Sequence, residues 1–460
     1  MPDFLKKHAI DMFNENSGVD LLLKTSYSAL QNIRTVVGLI HKKENMETAR
    51  AKKISNTNGV EKIRAQYPML GKRINLKPFI YFDNAATCHK PQVVLNSLQK
   101  FYSDEYGKPN EEHALSKEAT KRIEEVRKAV AKFIGAPSEK NIVFTRGCTE
   151  SINIVAGGFA KGVLKKGDEV LISSLEHHAN IVPWQMACEA SGATLKVVPL
   201  IETGEVDIKA FKSLLSDKTK IVAVVHASHV LGTILPVKQM IKWAHEKNIP
   251  VMLDGAQAIP HMPVNMQELD CDFYTFSAHK MGGPTGLGVL YGKKKWLEQI
   301  PSFEGGSDMA KKVTFESYEY ADVPQKFEAG TMPFAEIIAF ESLIDFLERA
   351  NMQKMFSYEQ ELLHYAEKQL NEIEGLYMMG SSADKEAVIS FHIGENDVKL
   401  LEKYLNERHN IFVRAGDLSA QPLMKLLGVK GLVRVSFSFY NTKEEIDFLV
   451  KALKTYLRNK

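Results

Sequence analysis

A lysine, Lys280, stands in the stretch Ser277-Ala278-His279-Lys280-Met281-Gly282-Gly283-Pro284, and a carboxylate, Asp254, opens the upstream segment Asp254-Gly255-Ala256-Gln257. An amine that follows a β-rich run (Phe273 to Ser277) and is held by a glycine-rich turn can form a Schiff base with a carbonyl cofactor. A carboxylate at the end of another apolar run, Val251-Met252-Leu253, can keep a pyridine nitrogen protonated. Together the two specify pyridoxal phosphate, whose chemistry needs a lysine imine and an acidic partner for the ring nitrogen.

Other polar groups recur just after apolar runs. Thr145-Arg146-Gly147-Cys148-Thr149-Glu150 leads from Ile142–Phe144 into a helical stretch. A glycine turn entering a helix presents free N–H groups and a positive dipole end, which suits a phosphate. His177, in Glu176-His177-His178-Ala179-Asn180, can stack on a flat ring and take part in proton transfer. Metal binding is not expected there, because no third or fourth ligand is suitably spaced. Ser228 or His229, after the run ending at Val225, can touch cofactor or substrate. Arg414 and Arg434 sit at the ends of two later strand-like runs, and a guanidinium holds a carboxylate with two parallel hydrogen bonds.

The elements that must position these groups are those of an α/β protein. Short apolar runs recur at Ile142–Phe144, Val170–Ile172, Leu195–Val198, Ile221–Val225, Val251–Leu253, Phe273–Phe276 and Val289–Tyr291, with helical stretches between most of them. Seven such runs predict a covered, largely parallel sheet with ligands at its carboxyl ends. After Gly330 come a long helical segment (Ala335 to Glu374), strand-like pieces (Ala387–Phe391, Ile411–Arg414, Val433–Ser436) and a final helix (Lys443–Leu457), a second and smaller α+β domain. Near the N-terminus Tyr27, Leu30, Ile33, Val37 and Ile40 recur at helical spacing, before a polar linker from Lys42 to Gly59. The predicted division is a helical extension and linker over 1–60, a segment of the small domain over 61–79, a large cofactor domain over 80–334 and a small domain over 335–460.

A chain of 460 residues has ample length for a sizeable core, and a net charge of +3 gives no support to a nucleic-acid or acidic-membrane role. No segment reaches the roughly 18 to 20 uninterrupted apolar residues of a membrane span. The N-terminus lacks a secretion pattern, and Cys88, Cys148, Cys188 and Cys271 lie far apart without metal spacing. Reduced thiols in a cytoplasmic protein are expected.

From about Ile80 to Leu457 the chain resembles the class V, fold-type I pyridoxal-phosphate enzymes, and within them the group II cysteine desulfurases and selenocysteine lyases. The motifs, in order, are Tyr81-Phe82-Asp83-Asn84-Ala85-Ala86-Thr87, Glu176 to Trp184, Asp254-Gly255-Ala256-Gln257, Ser277-Ala278-His279-Lys280, Lys326-Phe327-Glu328-Ala329-Gly330-Thr331 and Tyr440-Asn441-Thr442. The resemblance implies that Lys280 carries the cofactor and moves a proton at the substrate Cα. It implies that Asp254 pairs with the pyridine nitrogen, Gln257 bonds the ring oxygen and His177 stacks on the ring. It places the phosphate turn with Cys148 and Thr149, together with Ser277 and His279, on the phosphate. Thr331 would reach in from the other subunit of a homodimer, and Arg434 with Arg414 would bind the substrate carboxylate.

Four departures from the family pattern stand out. Ser419, in Gly416-Asp417-Leu418-Ser419-Ala420-Gln421-Pro422, occupies the place of the nucleophilic cysteine, with Asp417 and Leu418 also changed. His229 replaces an asparagine that contacts cofactor and substrate, Cys148 replaces a threonine, and Asn110-Glu111-Glu112-His113 lacks an arginine. A serine hydroxyl cannot form a persulfide. The expectation is therefore a divergent lyase that releases sulfur, selenium or sulfinate from a cysteine-like amino acid. The alternatives are a cysteine desulfurase using another thiol (Cys88), an aminotransferase or epimerase, and a silent partner subunit. A sulfur-acceptor protein is a further partner the resemblance allows.

Overall fold

The computed structural model describes residues 59–74, 76–394 and 397–459. The helix and linker expected within residues 1–58 lie outside them. One compact unit begins at Lys62.

All seven apolar runs form strands of one sheet: β1 (Ile142–Thr145), β2 (Glu169–Ser173), β3 (Thr194–Val198), β4 (Thr219–Val225), β5 (Val251–Asp254), β6 (Phe273–Ser277) and β7 (Gly288–Gly292). Their spatial order is β1-β7-β6-β5-β4-β2-β3. Strand β7 runs antiparallel to both its neighbours, and every other pairing is parallel. The central strands are buried on both faces, which is why they read as unbroken apolar runs rather than alternating ones. Successive residues still point to opposite layers. Phe144, Val222, Leu253 and Phe276 pack with helices α1 (Ala114–Phe133) and α4 (Phe334–Ala350), while Val143, Ala223, Met252 and Phe273 pack with α2 (Cys148–Gly162) and α3 (Val182–Ser191).

The smaller α+β part has an antiparallel sheet of β8 (Tyr377–Met379), β9 (Val388–His392), β10 (Arg414–Gly416) and β11 (Leu432–Ser436), in the order β8-β9-β11-β10. Its core side meets α5 (Met352–Asn371), α6 (Val398–His409) and α7 (Lys443–Arg458) through Leu362, Leu401, Leu405, Leu449 and Leu453.

Three local expectations change. The helical segment predicted from Ala335 to Glu374 is two helices, broken at Asn351, whose φ of 63° lies in the left-handed region and whose side chain caps α5 by accepting from Lys354 N. Asparagine tolerates that region and is a strong N-cap. The run Ile411–Arg414 divides, because Ile411–Phe412 pairs in parallel with Ile80–Tyr81 whereas Arg414 begins β10. Strand β8 carries no β-branched residue, so sequence pattern gave it no signal. Among the described residues, no helix is long and apolar enough to cross a membrane.

Candidate active site

Five strands of the large sheet deliver polar groups at their carboxyl ends. After β1 the turn Arg146-Gly147 opens α2 at Cys148. A Cβ placed on Gly288 of β7 would lie 2.5 Å from the Gly147 Cα, so this turn depends on two bare backbones meeting. Strand β2 leads to His177, β4 to His229, β5 ends on Asp254, and β6 runs into a short 3₁₀ turn, Ala278–Met281, that carries Lys280. The small domain adds Arg414 and Arg434 from β10 and β11, and Ser419 from the loop after β10.

These side chains meet in one cavity of about 360 Å³, lined by Cys148, Thr149, His177, His229, Asp254, Gln257, Ser277, His279, Lys280, Arg414, Ser419 and Arg434, with Ala85, Ala86 and Leu418 among the rest. A more open recess of about 530 Å³ shares Cys148, Thr149, Ser277 and His279 with it and continues past Arg146 and Glu304. Twelve sequence-derived candidates are thus brought together. Thr331 is exposed and lines neither space. Cys88 is buried in a smaller recess on another side of Lys280, beside Tyr67 and His261.

Asp254 is buried; its Oδ1 accepts from Ala256 N at 2.9 Å and from the Cys148 thiol at 3.2 Å. Among the described residues this carboxylate makes no ion pair, so a cation inside the cavity would complement it. Cys148 Sγ also lies 3.0 Å from Thr275 Oγ1, and its backbone N donates to Ser277 Oγ at 2.8 Å. Burial and then the Asp254 carboxylate push this thiol well above its usual range. Burial lowers the pKa of Lys280, with Asp254 opposing, which favours the neutral amine that attacks a carbonyl. Burial also holds His177 and His279 down to about 4, helped in each case by Lys280, so both rings are neutral at neutral pH.

Gln257 donates from Nε2 to Ala85 O at 2.7 Å while its Oε1, though buried, has no partner. His229 Nδ1 and Arg434 Nε are also buried and unpartnered. Three orphaned polar atoms on the wall of one cavity mark a place for a polar ligand. Arg434, itself buried, donates to Asp83 Oδ1 at 3.1 Å and to His229 O at 3.0 Å, and the more exposed Arg414 donates to Asp83 Oδ2 at 2.7 Å. One carboxylate against two guanidinium groups leaves a net positive charge for an anionic substrate group.

The residues present fit pyridoxal phosphate. A buried carboxylate without a cation suits a pyridinium, a desolvated amine suits an aldehyde, and the N-terminus of α2 beside Ser277 and His279 suits a phosphate. Sequence reasoning assigned no role to Asp83, Thr275 or Leu418. Asp83 sat inside a quoted motif, but only the fold shows that it bridges two arginines from β10 and β11. Among the described residues no group of three or more His, Cys, Asp or Glu side chains could hold a metal.

Residues 80–449 match the family model "Aminotransferase class-V". The chain is 43% identical over 396 residues to a probable cysteine desulfurase of Mycolicibacterium paratuberculosis, covering 86% of this chain but only 58% of that protein. It is 41% identical over 397 residues to a cysteine desulfurase of Yersinia pestis, covering 86% of this chain and 97% of that one. The crystal structure of the cysteine desulfurase CsdA from Escherichia coli superposes with a TM-score of 0.81 at 36% identity, over 88% of this chain and 100% of that one.

These findings correct one expectation. Ser419 led to a divergent chain set apart from the cysteine desulfurases by loss of its thiol. Identity of 41–43% over 86% of the chain places it squarely beside them, and the cavity retains an intact buried thiol at Cys148. A single loop position had been given more weight than the rest of the chain supports.

Proposed function

The chain belongs to the aminotransferase class-V family and is a pyridoxal-phosphate enzyme of the cysteine-desulfurase type, and from that premise we propose that it removes sulfur from cysteine and leaves alanine. The observation that carries the reading is Cys148 lining the same cavity as Lys280, Asp254 and Arg434.

Pyridoxal phosphate, when bound, supplies an electron sink for bonds to the substrate Cα. Lys280 would hold its carbonyl carbon, Asp254 its pyridine nitrogen and Gln257 its ring oxygen, with His177 against the ring. The N-terminus of α2 at Cys148 and Thr149, with Ser277 and His279, would hold the phosphate. Arg434 and Arg414 bind the substrate carboxylate, with His229 beside them, and Lys280 moves the proton at Cα. Cys148 is the sulfur acceptor. Its thiolate attacks the substrate sulfur, the substrate C–S bond breaks, and its electron pair stays on Cβ, which takes a proton to become the methyl group of alanine. The enzyme keeps the sulfur as a persulfide. Burial raises both thiols, and Cys88 is less suited because it stands outside the cavity that holds Cys148.

A homodimer goes with this reading, Thr331 reaching across to the second cavity; its exposure outside the cavity of its own chain supports that. The four unpaired, buried cysteines support a reducing cytoplasmic setting, where a sulfur-acceptor protein would take the persulfide sulfur.

The test is product analysis of the cofactor-loaded protein with cysteine. Alanine with protein-bound persulfide is expected, and Cys148→Ala should abolish both while keeping the absorbance of bound cofactor. Lys280→Ala should lose that absorbance after dialysis. Pyruvate and ammonia in place of alanine would overturn the desulfurase reading. Undiminished alanine from Cys148→Ala would overturn Cys148 as acceptor.

A further inference from the structure

The loop after β10 forms part of the cavity wall through Leu418 and Ser419, and both residues have left-handed backbones, with φ of 54° and 57°. Two consecutive non-glycine residues in that region are costly and persist only where their surroundings fix them. Part of the fixing is local. Asp417 Oδ1 accepts from Ser419 N at 3.0 Å, and Ala420 N donates to Asp417 O at 2.9 Å. Part comes from the segment after β2, where His178 N donates to Ser419 O at 2.9 Å and Gln421 N donates to His178 Nε2 at 3.2 Å.

The remaining tie crosses the cavity. His229 Nε2 lies 2.9 Å from Leu418 O, and both residues are buried. A carbonyl only accepts, so Nε2 carries the proton and Nδ1 is left with a lone pair. That Nδ1 has no partner, and the ring meets His177 edge-on at 4.9 Å between centroids. The His229 backbone is held separately, its carbonyl accepting from Arg434 Nη1 at 3.0 Å. Replacing the ring therefore releases Leu418 without releasing Arg434 from the main chain.

We propose that His229 is a positioning residue: its Nε2–H latches the Leu418 carbonyl and so holds the left-handed Leu418-Ser419 pair in place as a wall of the cavity. The role is independent of which amino acid the enzyme consumes. It predicts a specific order among variants, because a glutamine amide nitrogen reaches about as far as Nε2 whereas an asparagine amide stops near Nδ1.

Hydrogen exchange on the cofactor-loaded protein tests this without reference to turnover. In His229→Asn and His229→Ala, amides of residues 416–421 should exchange about 5-fold faster, the scale of one buried neutral hydrogen bond, with amides of β4 and β5 unchanged. His229→Gln should restore the wild-type rate, and KM for cysteine should follow the same order with a smaller change in kcat. Unchanged exchange at 416–421 in His229→Ala overturns the latch. So does a loop loosened as much in His229→Gln as in His229→Ala, since the donor would then be irrelevant. Should His229→Ala unfold, the contrast between His229→Gln and His229→Asn decides the matter alone.

Discussion

The thiol of Cys148 and the carboxylate of Asp254 touch, Sγ to Oδ1 at 3.2 Å, at the end of β5 and the start of α2. A thiol that donates to a carboxylate is a poor acid. Burial first, and that negative charge second, raise its pKa well above the free value.

The sign of the pH dependence follows. A raised thiol pKa keeps the protonated form dominant at neutral pH, so the thiolate fraction grows about tenfold per pH unit below that pKa. Alkylation of Cys148 by iodoacetamide in the cofactor-free protein should climb steadily between about pH 7 and 9 without a plateau. Asp254→Asn removes the like charge and should speed alkylation at every pH in that range. A plateau near neutrality, or no gain in Asp254→Asn, would show that the carboxylate does not control the thiol.

A second pair supports the site from behind. Arg127 of α1 clamps Glu328 with two hydrogen bonds, Nη1 to Oε1 at 2.6 Å and Nη2 to Oε2 at 3.0 Å, and both side chains are buried. Glu328 Oε1 also accepts from Phe144 N at 2.7 Å, and Arg127 Nη1 donates to Ile142 O at 3.0 Å. The pair thus pins β1, whose end supplies the Gly147 turn. Glu328→Ala leaves buried Arg127 with only the partly exposed Glu124 as a carboxylate partner, Nη2 to Oε1 at 3.2 Å, so unfolding stability should fall toward the low end of about 3–5 kcal/mol. Denaturant unfolding of the cofactor-free protein measures it, and a loss below about 1 kcal/mol would mean that water or rearrangement satisfies Arg127.

The central strands of the seven-stranded sheet and the groups at their ends were legible in the sequence for one reason. Strands buried on both faces leave unbroken β-branched runs, and ligand groups follow such runs in an open α/β sheet. The cavity wall contributed by the small domain was less legible. Arg414 and Arg434 could be named, but β10 and β11 set them across from Asp83, more than 300 residues earlier in the chain, and no local pattern encodes that meeting. Asn351 was hidden because one polar residue inside a helical period resembles solvent-facing surface until its φ is known. Ser419 misled in the opposite direction, since a conspicuous residue type said less about kinship than 370 residues of matched family did.

The two arginines on Asp83 should contribute unequally. Arg434 has a side chain only 4% exposed, whereas that of Arg414 is 50% exposed, so water screens Arg414 and competes for its hydrogen bonds. A charge-assisted hydrogen bond in a desolvated site is worth about 1.5–3 kcal/mol, which sets a loss of about 10- to 100-fold in kcat/KM for cysteine in Arg434→Ala. Arg414→Ala should cost only about 2- to 5-fold. Arg434→Lys should recover part of the loss, because it keeps the charge but not the two-pronged geometry. Cysteamine, which lacks the carboxylate, provides the control. If the arginines act on that carboxylate, Arg434→Ala and the wild type should differ far less in binding cysteamine than in binding cysteine, by absorbance titration of the bound cofactor. Equal losses with both compounds would mean that Arg434 holds the cavity together through Asp83 and the His229 carbonyl instead of binding substrate.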